Sequence, residues 1–410
     1  VRRVVVTGMG IVSSIGNSKA EVLRSLWEGH SGLEFIPEMQ ELGLQCQVAG
    51  RVKGLEAAAE KLGKRSLQTM SSVAKYTAVA TLEAIADAQL PREALHSGRT
   101  GVVVGTAFGG INEVPKTELM LLAHKSPTRL GATGAVKIMN STVAVNLAVW
   151  LGIKGRCYAV SSACATGTDN IGHGFELIRH GLLDVCICGG AEENWIGAAA
   201  YLDNAFLGGT EFNARPGEVC RPYDRDRCGF VMSEGAGILI LEAFEHAMAR
   251  GAPVYAEVIG YGSANDGDNM FEPKGGGLER SLRQALQMAD DHRPVSIDYI
   301  NPHGAGTQVG DPVEVQVIRT VFGQSSPWVS STKSLSGHSQ GAAGAHEAIF
   351  TLLMLQHGFV VPTLNLEHVA PECDGIRHVW TLTEMPLRTV MSFNAGLGGA
   401  NACLIFRKLS

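Results

Sequence analysis

The sequence predicts an α/β fold made of two related halves, and three observations carry that prediction. Short apolar strands alternate with helix-like stretches along the chain. The order of these elements begins again after Pro253. The 50 glycines are scattered between the strands as turn and close-packing residues and are not gathered in a linker. With 410 residues, 45% of them hydrophobic and 18% charged, the chain can bury a large core and has neither a disordered nor a fibrous composition.

In chain order, apolar β-branched runs predict strands at 4–7, 100–104, 157–160, 185–188 and 238–241. Helical periodicity marks 71–88 and 170–179, the latter with Ile171, Phe175, Ile178 and Leu182 on one face. The second set comprises a strand at 254–261, a helix at 278–288, a strand at 297–300 and a helix after Gly341. Further strands are expected at 359–362, 389–392 and 402–406. Residues 245–253, ending in Ala-Arg-Gly-Ala-Pro, read as a helix end and connector, so the halves are set at 1–250 and 251–410.

Lys and Arg total 34 against 40 Asp and Glu, a net charge of −6. That balance argues against a protein that coats nucleic acid, and any anionic partner must meet a local basic patch. No apolar run has the length of a membrane helix, and the apolar start breaks at Thr7-Gly8 before reaching signal-peptide length. The nine cysteines include no Cys-x-x-Cys pair and no zinc-finger histidine spacing. A cytoplasmic protein without structural metal is expected.

Four segments carry candidate chemistry. In Val160-Ser161-Ser162-Ala163-Cys164-Ala165-Thr166-Gly167 a strand runs through small residues into a helix, which places Cys164 at a helix N-terminus. The positive end of the helix and its free N–H groups favour a thiolate, the form that attacks carbonyl carbon. A buried, inert cysteine is the alternative. In Asn301-Pro302-His303-Gly304-Ala305-Gly306-Thr307, His303 leaves a strand among glycines, suited to proton or hydrogen-bond work on a carbonyl or to a structural hydrogen bond.

The third segment runs from Ser331 through Lys333 and His338 to Gly344, an almost uncharged stretch in which a lysine is unexpected, with Glu347 on the helix that continues it. The fourth, Phe393-Asn394-Ala395-Gly396-Leu397-Gly398-Gly399-Ala400-Asn401, is glycine-rich, but no helix follows it as a dinucleotide site requires. A loop that lends a backbone N–H to an oxyanion is the better reading.

In this order, these segments resemble the β-ketoacyl-acyl carrier protein synthases, the condensing enzymes of fatty acid and polyketide assembly. The resemblance extends over essentially the whole chain, including VVTGMGIVSSIG at 5–16 and RPYDRDRCGFVMSEGAG at 221–237, and is closest to bacterial synthase I. It implies a thiolase-like fold of two duplicated halves in a five-layered α/β/α/β/α arrangement, and a homodimer, with a heterodimer as the alternative. By position, Cys164 matches the acyl-accepting nucleophile, His303 and His338 the histidines of malonyl decarboxylation and condensation, and Lys333 and Glu347 their supporting pair. The backbone N–H groups of Cys164 and Leu397 match the oxyanion hole. No cofactor or metal is implied, because phosphopantetheine arrives on the acyl carrier protein. The chemistry suits these residue types: an enolate left by loss of carbon dioxide is a charge that neutral imidazole N–H groups stabilise.

The chain departs from the family pattern at several points. Ala395 and Leu397 stand where relatives have phenylalanines, the second of which gates acyl entry. Only Thr307 remains of the paired threonines that hold phosphopantetheine. Phe108 falls where relatives line the acyl tunnel with smaller side chains; it either shortens the tunnel or packs in the core. For the acidic carrier protein, Lys64, Arg65, Lys125 and Arg129 are the docking candidates. Rival readings fare less well on this sequence. A thiolase would place a second cysteine in the loop 393–401, and a chain-length factor would lack the nucleophile. A condensing enzyme of a specialised polyketide or polyene pathway, with altered primer choice, is the standing alternative.

Overall fold

The computed structural model describes residues 1–290 and 295–409. Eleven strands form one hydrogen-bonded sheet: β1 (Val4–Ser13), β2 (Thr100–Gly105), β3 (Cys157–Tyr158), β4 (Val185–Glu192), β5 (Gly235–Ala243), β6 (Ala256–Asn265), β7 (Tyr299–Asn301), β8 (Trp328–Val329), β9 (Arg377–His378), β10 (Thr389–Ala395) and β11 (Ala400–Arg407). The helices that form its layers include α1 (Ser72–Asp87), α2 (Thr142–Leu151), α3 (Thr166–Arg179), α4 (Gly276–Ala289), α5 (Gly310–Phe322) and α6 (Ala343–His357).

The strand order exposes the duplication. One set runs β3-β2-β4-β5-β1 and the other β8-β7-β10-β11-β6, with β9 added at the far edge. In each set the first two pairings are parallel and the next two antiparallel. The sets meet where three residues of β1, Val4 to Val6, pair with Val258 to Ala256 of β6.

Three apolar layers hold this arrangement together. Helices α3 and α6 lie at the centre and touch strands of both sets, around Ile171, Phe175, Ile349 and Phe350. Helices α1 and α2 cover the outer face of the first set through Val73, Ala80, Val143 and Leu147, and α4 and α5 cover the second through Leu278, Leu282, Val315 and Ile318. The result is five layers, α/β/α/β/α.

The outer helices sit unusually close to the sheet, for a reason written in the sequence. A Cβ at Gly8 or Gly10 of β1 would meet the Ala84 or Ala80 carbonyl oxygen of α1 at 2.3 or 1.9 Å. In the second half, Gly260 and Gly262 of β6 stand in the same relation to Ala285 and Ser281 of α4, at 2.4 and 2.0 Å. Strand glycines here admit a neighbouring backbone.

Several elements differ from expectation. The strand foreseen at 157–160 is only Cys157–Tyr158, and that at 297–300 is Tyr299–Asn301. The strand foreseen at 359–362 is Phe359–Val360, which pairs with Thr383–Glu384 in a separate two-stranded sheet. Among the described residues, no helix is long and apolar enough to cross a membrane.

Candidate active site

Both central helices are entered through 3₁₀ turns, Ala163–Ala165 before α3 and Gln340–Ala342 before α6. Ala163 has φ 50° and Gln340 φ 47°, left-handed conformations that cost a residue with a Cβ about 1 kcal/mol. The first turn carries Cys164. It is held by Ser162, whose amide donates to Thr166 Oγ1 at 2.9 Å and whose hydroxyl donates to Asp169 Oδ2 at 2.6 Å.

His303 leaves the end of β7, and His338 sits between the short helix Lys333–Ser336 and the second turn. The Cys164 sulfur and one ring nitrogen of each histidine lie within 4.8 Å of one another. The two imidazoles are nearly perpendicular, at 83°, with centroids 5.1 Å apart. One half of the fold therefore supplies the thiol and the other both histidines.

Lys333 is only 1% exposed. Its ammonium donates to Glu347 Oε1 and to the His303 carbonyl oxygen, each at 2.5 Å. The Asn394 side-chain amide completes the cluster: Nδ2 donates to Glu347 Oε2 at 2.7 Å and lies 3.5 Å from His303 Nδ1, while Oδ1 accepts from Thr168 Oγ1 at 2.6 Å.

Burial first, and then the Lys333 ammonium, push both imidazoles well below their ordinary range; His338 adds to the effect on His303. Both are neutral at pH 7. The Gln340 backbone N–H donates to His338 Nδ1 at 3.2 Å, so the proton of that ring sits on Nε2. The Asn394 amide presents a donor to His303 Nδ1 and favours the same tautomer. Metal-like spacing is thus misleading here. A metal bound at His338 Nε2 would need an N–H at Nδ1, which would face the N–H of Gln340.

The expectation of a resting thiolate is corrected. Burial pushes the Cys164 thiol up to about 11, against the pull of Lys333 and of the Leu397 backbone N–H. Desolvation outweighs the favourable end of α3, and Cys164 rests as a thiol.

Comparison with known proteins agrees with this geometry. Residues 1–247 match the family described as "Beta-ketoacyl synthase, N-terminal domain", and residues 255–367 match "Beta-ketoacyl synthase, C-terminal domain". The chain belongs to the β-ketoacyl synthase family. It is 42% identical over 408 residues to the 3-oxoacyl-[acyl-carrier-protein] synthase 1 of Haemophilus influenzae, covering 99% of each chain. Among solved structures it superposes on a β-ketoacyl synthase from Burkholderia phymatum with a TM-score of 0.93 at 34% identity, over 100% of both chains. It superposes on the ishigamide ketosynthase/chain length factor with a TM-score of 0.92 at 32% identity, again over 100% of both.

Within this β-ketoacyl synthase, the remaining sequence-derived residues fall in different places. Leu397 lies in the loop between β10 and β11, 40% exposed, and its backbone N–H favours the thiolate form of Cys164. Phe108 is half-buried, edge-on to Trp195 at 5.9 Å, in an apolar cluster that contains Phe230; Phe230 in turn packs edge-on against His338 at 5.1 Å. The Thr307 hydroxyl accepts the Gly310 N–H at 3.0 Å at the start of α5, which leaves its O–H and one lone pair for a ligand. Lys64 and Arg65 are exposed on the short helix Lys64–Leu67, and Lys125 is exposed at the end of the helix Glu113–His124. The side chain of Arg129 lies outside the described residues.

Sequence reasoning gave no role to Asn394, Gln340 or Glu192. Glu192 is fully buried and accepts from Thr106 Oγ1 at 2.7 Å and from the backbone N–H groups of Ala107 at 2.9 Å and Gly341 at 3.2 Å. It ties the segment bearing Phe108 to the turn after His338, and burial pushes its carboxyl up to about 7. Its signal was the unbroken burial of β4 up to a terminal carboxylate.

Proposed function

We propose that Cys164, His303 and His338 carry out the decarboxylative Claisen condensation by which a 3-oxoacyl-[acyl-carrier-protein] synthase lengthens an acyl chain by two carbons. The convergence of two neutral imidazoles on the Cys164 thiol carries this reading. In the first step the Cys164 sulfur attacks the thioester carbon of an acyl group held on the phosphopantetheine arm of acyl carrier protein. The thiol proton passes to the departing carrier sulfur, and the Cys164 and Leu397 backbone N–H groups receive the developing oxyanion. A malonyl thioester then binds with its carbonyl oxygen facing the two Nε2–H groups. Its carbon–carboxylate bond breaks, carbon dioxide leaves, and the electron pair becomes an enolate stabilised by those donors. The enolate carbon attacks the acyl thioester on Cys164, the carbon–sulfur bond breaks, and the sulfur is reprotonated. Lys333 and Glu347 act by positioning, since Lys333 holds the His303 backbone through its carbonyl.

The same proposal places the nucleophile half at 1–250 and the histidine half at 251–410, in a cytoplasmic enzyme. All nine cysteines are free thiols, which suits that compartment. It includes a homodimer. Strand β3 is an edge of the sheet, and Val149 on α2 and Tyr201 are 83% and 82% exposed, so a second copy has both an open strand edge and apolar side chains to cover. Exposed Leu397 at the mouth and the Phe108–Trp195 contact support a second reading, a ketosynthase of a specialised polyketide or polyene pathway.

Mass spectrometry of the protein mixed with carrier-bound acyl groups, short to long and saturated or unsaturated, tests both readings, with Cys164→Ala as control. Acylation of Cys164 across medium and long chains is the result expected of a fatty acid synthase, and restriction to short or unusual primers that of the specialised enzyme. Acylation from no donor overturns both.

A further inference from the structure

Gln340 opens the turn before α6 and is 6% exposed. Its side-chain amide nitrogen is buried and has no hydrogen-bond partner in the protein. Buried donors in folded proteins are nearly always paired, and one left unpaired costs about 1–3 kcal/mol. The backbone N–H of the same residue is fully used, on His338 Nδ1.

Its surroundings say what the missing partner is. The turn Gln340–Ala342 packs against the turn Ala163–Ala165 that carries Cys164. On its other side it meets the segment bearing Phe108: a Cβ on Gly341 would stand 2.7 Å from the Ala107 amide nitrogen. The turn that Gln340 opens therefore stands beside His338, between the Cys164 turn and the segment bearing Phe108. Taking Cys164 as the acyl-bearing residue, as proposed above, this is ground that the first carbons of a bound acyl chain occupy. The apolar groups of this region, Phe230 against His338 and the Phe108–Trp195 pair on the adjoining segment, suit hydrocarbon, and hydrocarbon leaves the amide N–H unsatisfied.

We propose that Gln340 is a specificity-determining residue and that the preferred acyl groups carry a hydrogen-bond-accepting oxygen, keto or hydroxyl, within the first carbons beyond the thioester. Such an oxygen takes the free N–H, and a fully saturated chain of equal length does not. Sites built to pair a substrate oxygen discriminate strongly against analogues that lack it, because the protein group is then left unpaired.

The test uses the full-length protein and acyl carrier protein loaded with a saturated acyl group or with analogues of equal length bearing a keto or hydroxyl oxygen at successive carbons. The readout is kcat/KM for acylation of Cys164. At least one oxygenated analogue is expected to exceed the saturated chain by about tenfold. Gln340→Leu is expected to erase that ratio, chiefly by improving the saturated chain. Equal use of all analogues by the unaltered protein overturns the proposal without any variant having to fold, and so does a ratio that survives Gln340→Leu. Acylation by none of the donors overturns the condensing-enzyme reading itself, an outcome distinct from acylation by all of them equally.

Discussion

Replacing Lys333 by methionine tests the electrostatics of the site most directly. Lys333 and Glu347 are 1% and 2% exposed and share a 2.5 Å contact. Removing one partner of a buried ion pair costs about 3–5 kcal/mol, since the other charge is left behind. In Lys333→Met, Glu347 keeps only the Asn394 amide, and the His303 carbonyl loses its donor. Burial already holds the Glu347 carboxyl above its ordinary value, and loss of the ammonium raises it further. A carboxyl whose folded-state pKa is raised contributes most to stability below its unfolded value, and that contribution is lost as pH rises through the folded one. The stability gap between variant and parent is therefore expected to widen from about pH 5 to about pH 8. Denaturation midpoints at those two pH values measure it. Adding Glu347→Gln should recover most of the loss, because a neutral amide replaces the stranded charge in the same shape. It should not recover condensation, because the His303 anchor is still missing. A Lys333→Met protein as stable as its parent at pH 8, or a double variant no more stable than the single one, would refute the reasoning.

Three further outcomes are expected. With the Cys164 thiol held at about 11, its alkylation by iodoacetamide, followed by mass spectrometry, should accelerate about tenfold per pH unit across the neutral and mildly alkaline range; a plateau near pH 8 would show a lower pKa. Phe108→Ala should raise kcat/KM for longer acyl primers at a stability loss of about 1–2 kcal/mol, less than for a fully buried ring, and no gain on longer primers sinks the tunnel reading. Charge reversal at Lys64 and Arg65 should raise KM for carrier-bound substrate several-fold at low salt, fading as salt screens it, whereas an unchanged KM would remove both from the docking surface.

Much of the fold was legible because local pattern decides it. The long strands β1, β4 and β5 are apolar runs, and α1 and α3 carry their packing face at helical spacing. Helix α5 escaped notice because it begins Gly310-Asp311-Pro312, which reads as a turn. Its acidic residues also point inward, Asp311 to the amides of Gly306 and Thr307 and Glu314 to that of Gly304, so its polar residues do not mark a solvent face. At the site, Cys164, His303, His338 and Lys333 stand in unusual local settings that draw attention without a structure. Asn394 and Gln340 do not. Their significance lies in partners from distant segments, or in the lack of one, as with the orphan amide of Gln340. The thiolate expectation failed for the same reason: a helix end is a local feature, whereas the burial that overrides it is assembled from the whole fold.

The two turns that enter the central helices have one further consequence. Cys164 is the middle residue of the first and Gly341 of the second. A side chain at Gly341 would strike the Ala107 amide at 2.7 Å and the Glu192 carboxylate at 2.8 Å. The two halves of the fold therefore hold two equivalent addresses with opposite fates, and one of them is closed to any residue but glycine. Placing a thiol at the second address would take more than a point mutation, since its neighbours would have to withdraw first. The chain is locked into an asymmetric pair of turns, with a thiol in one and a bare glycine in the other.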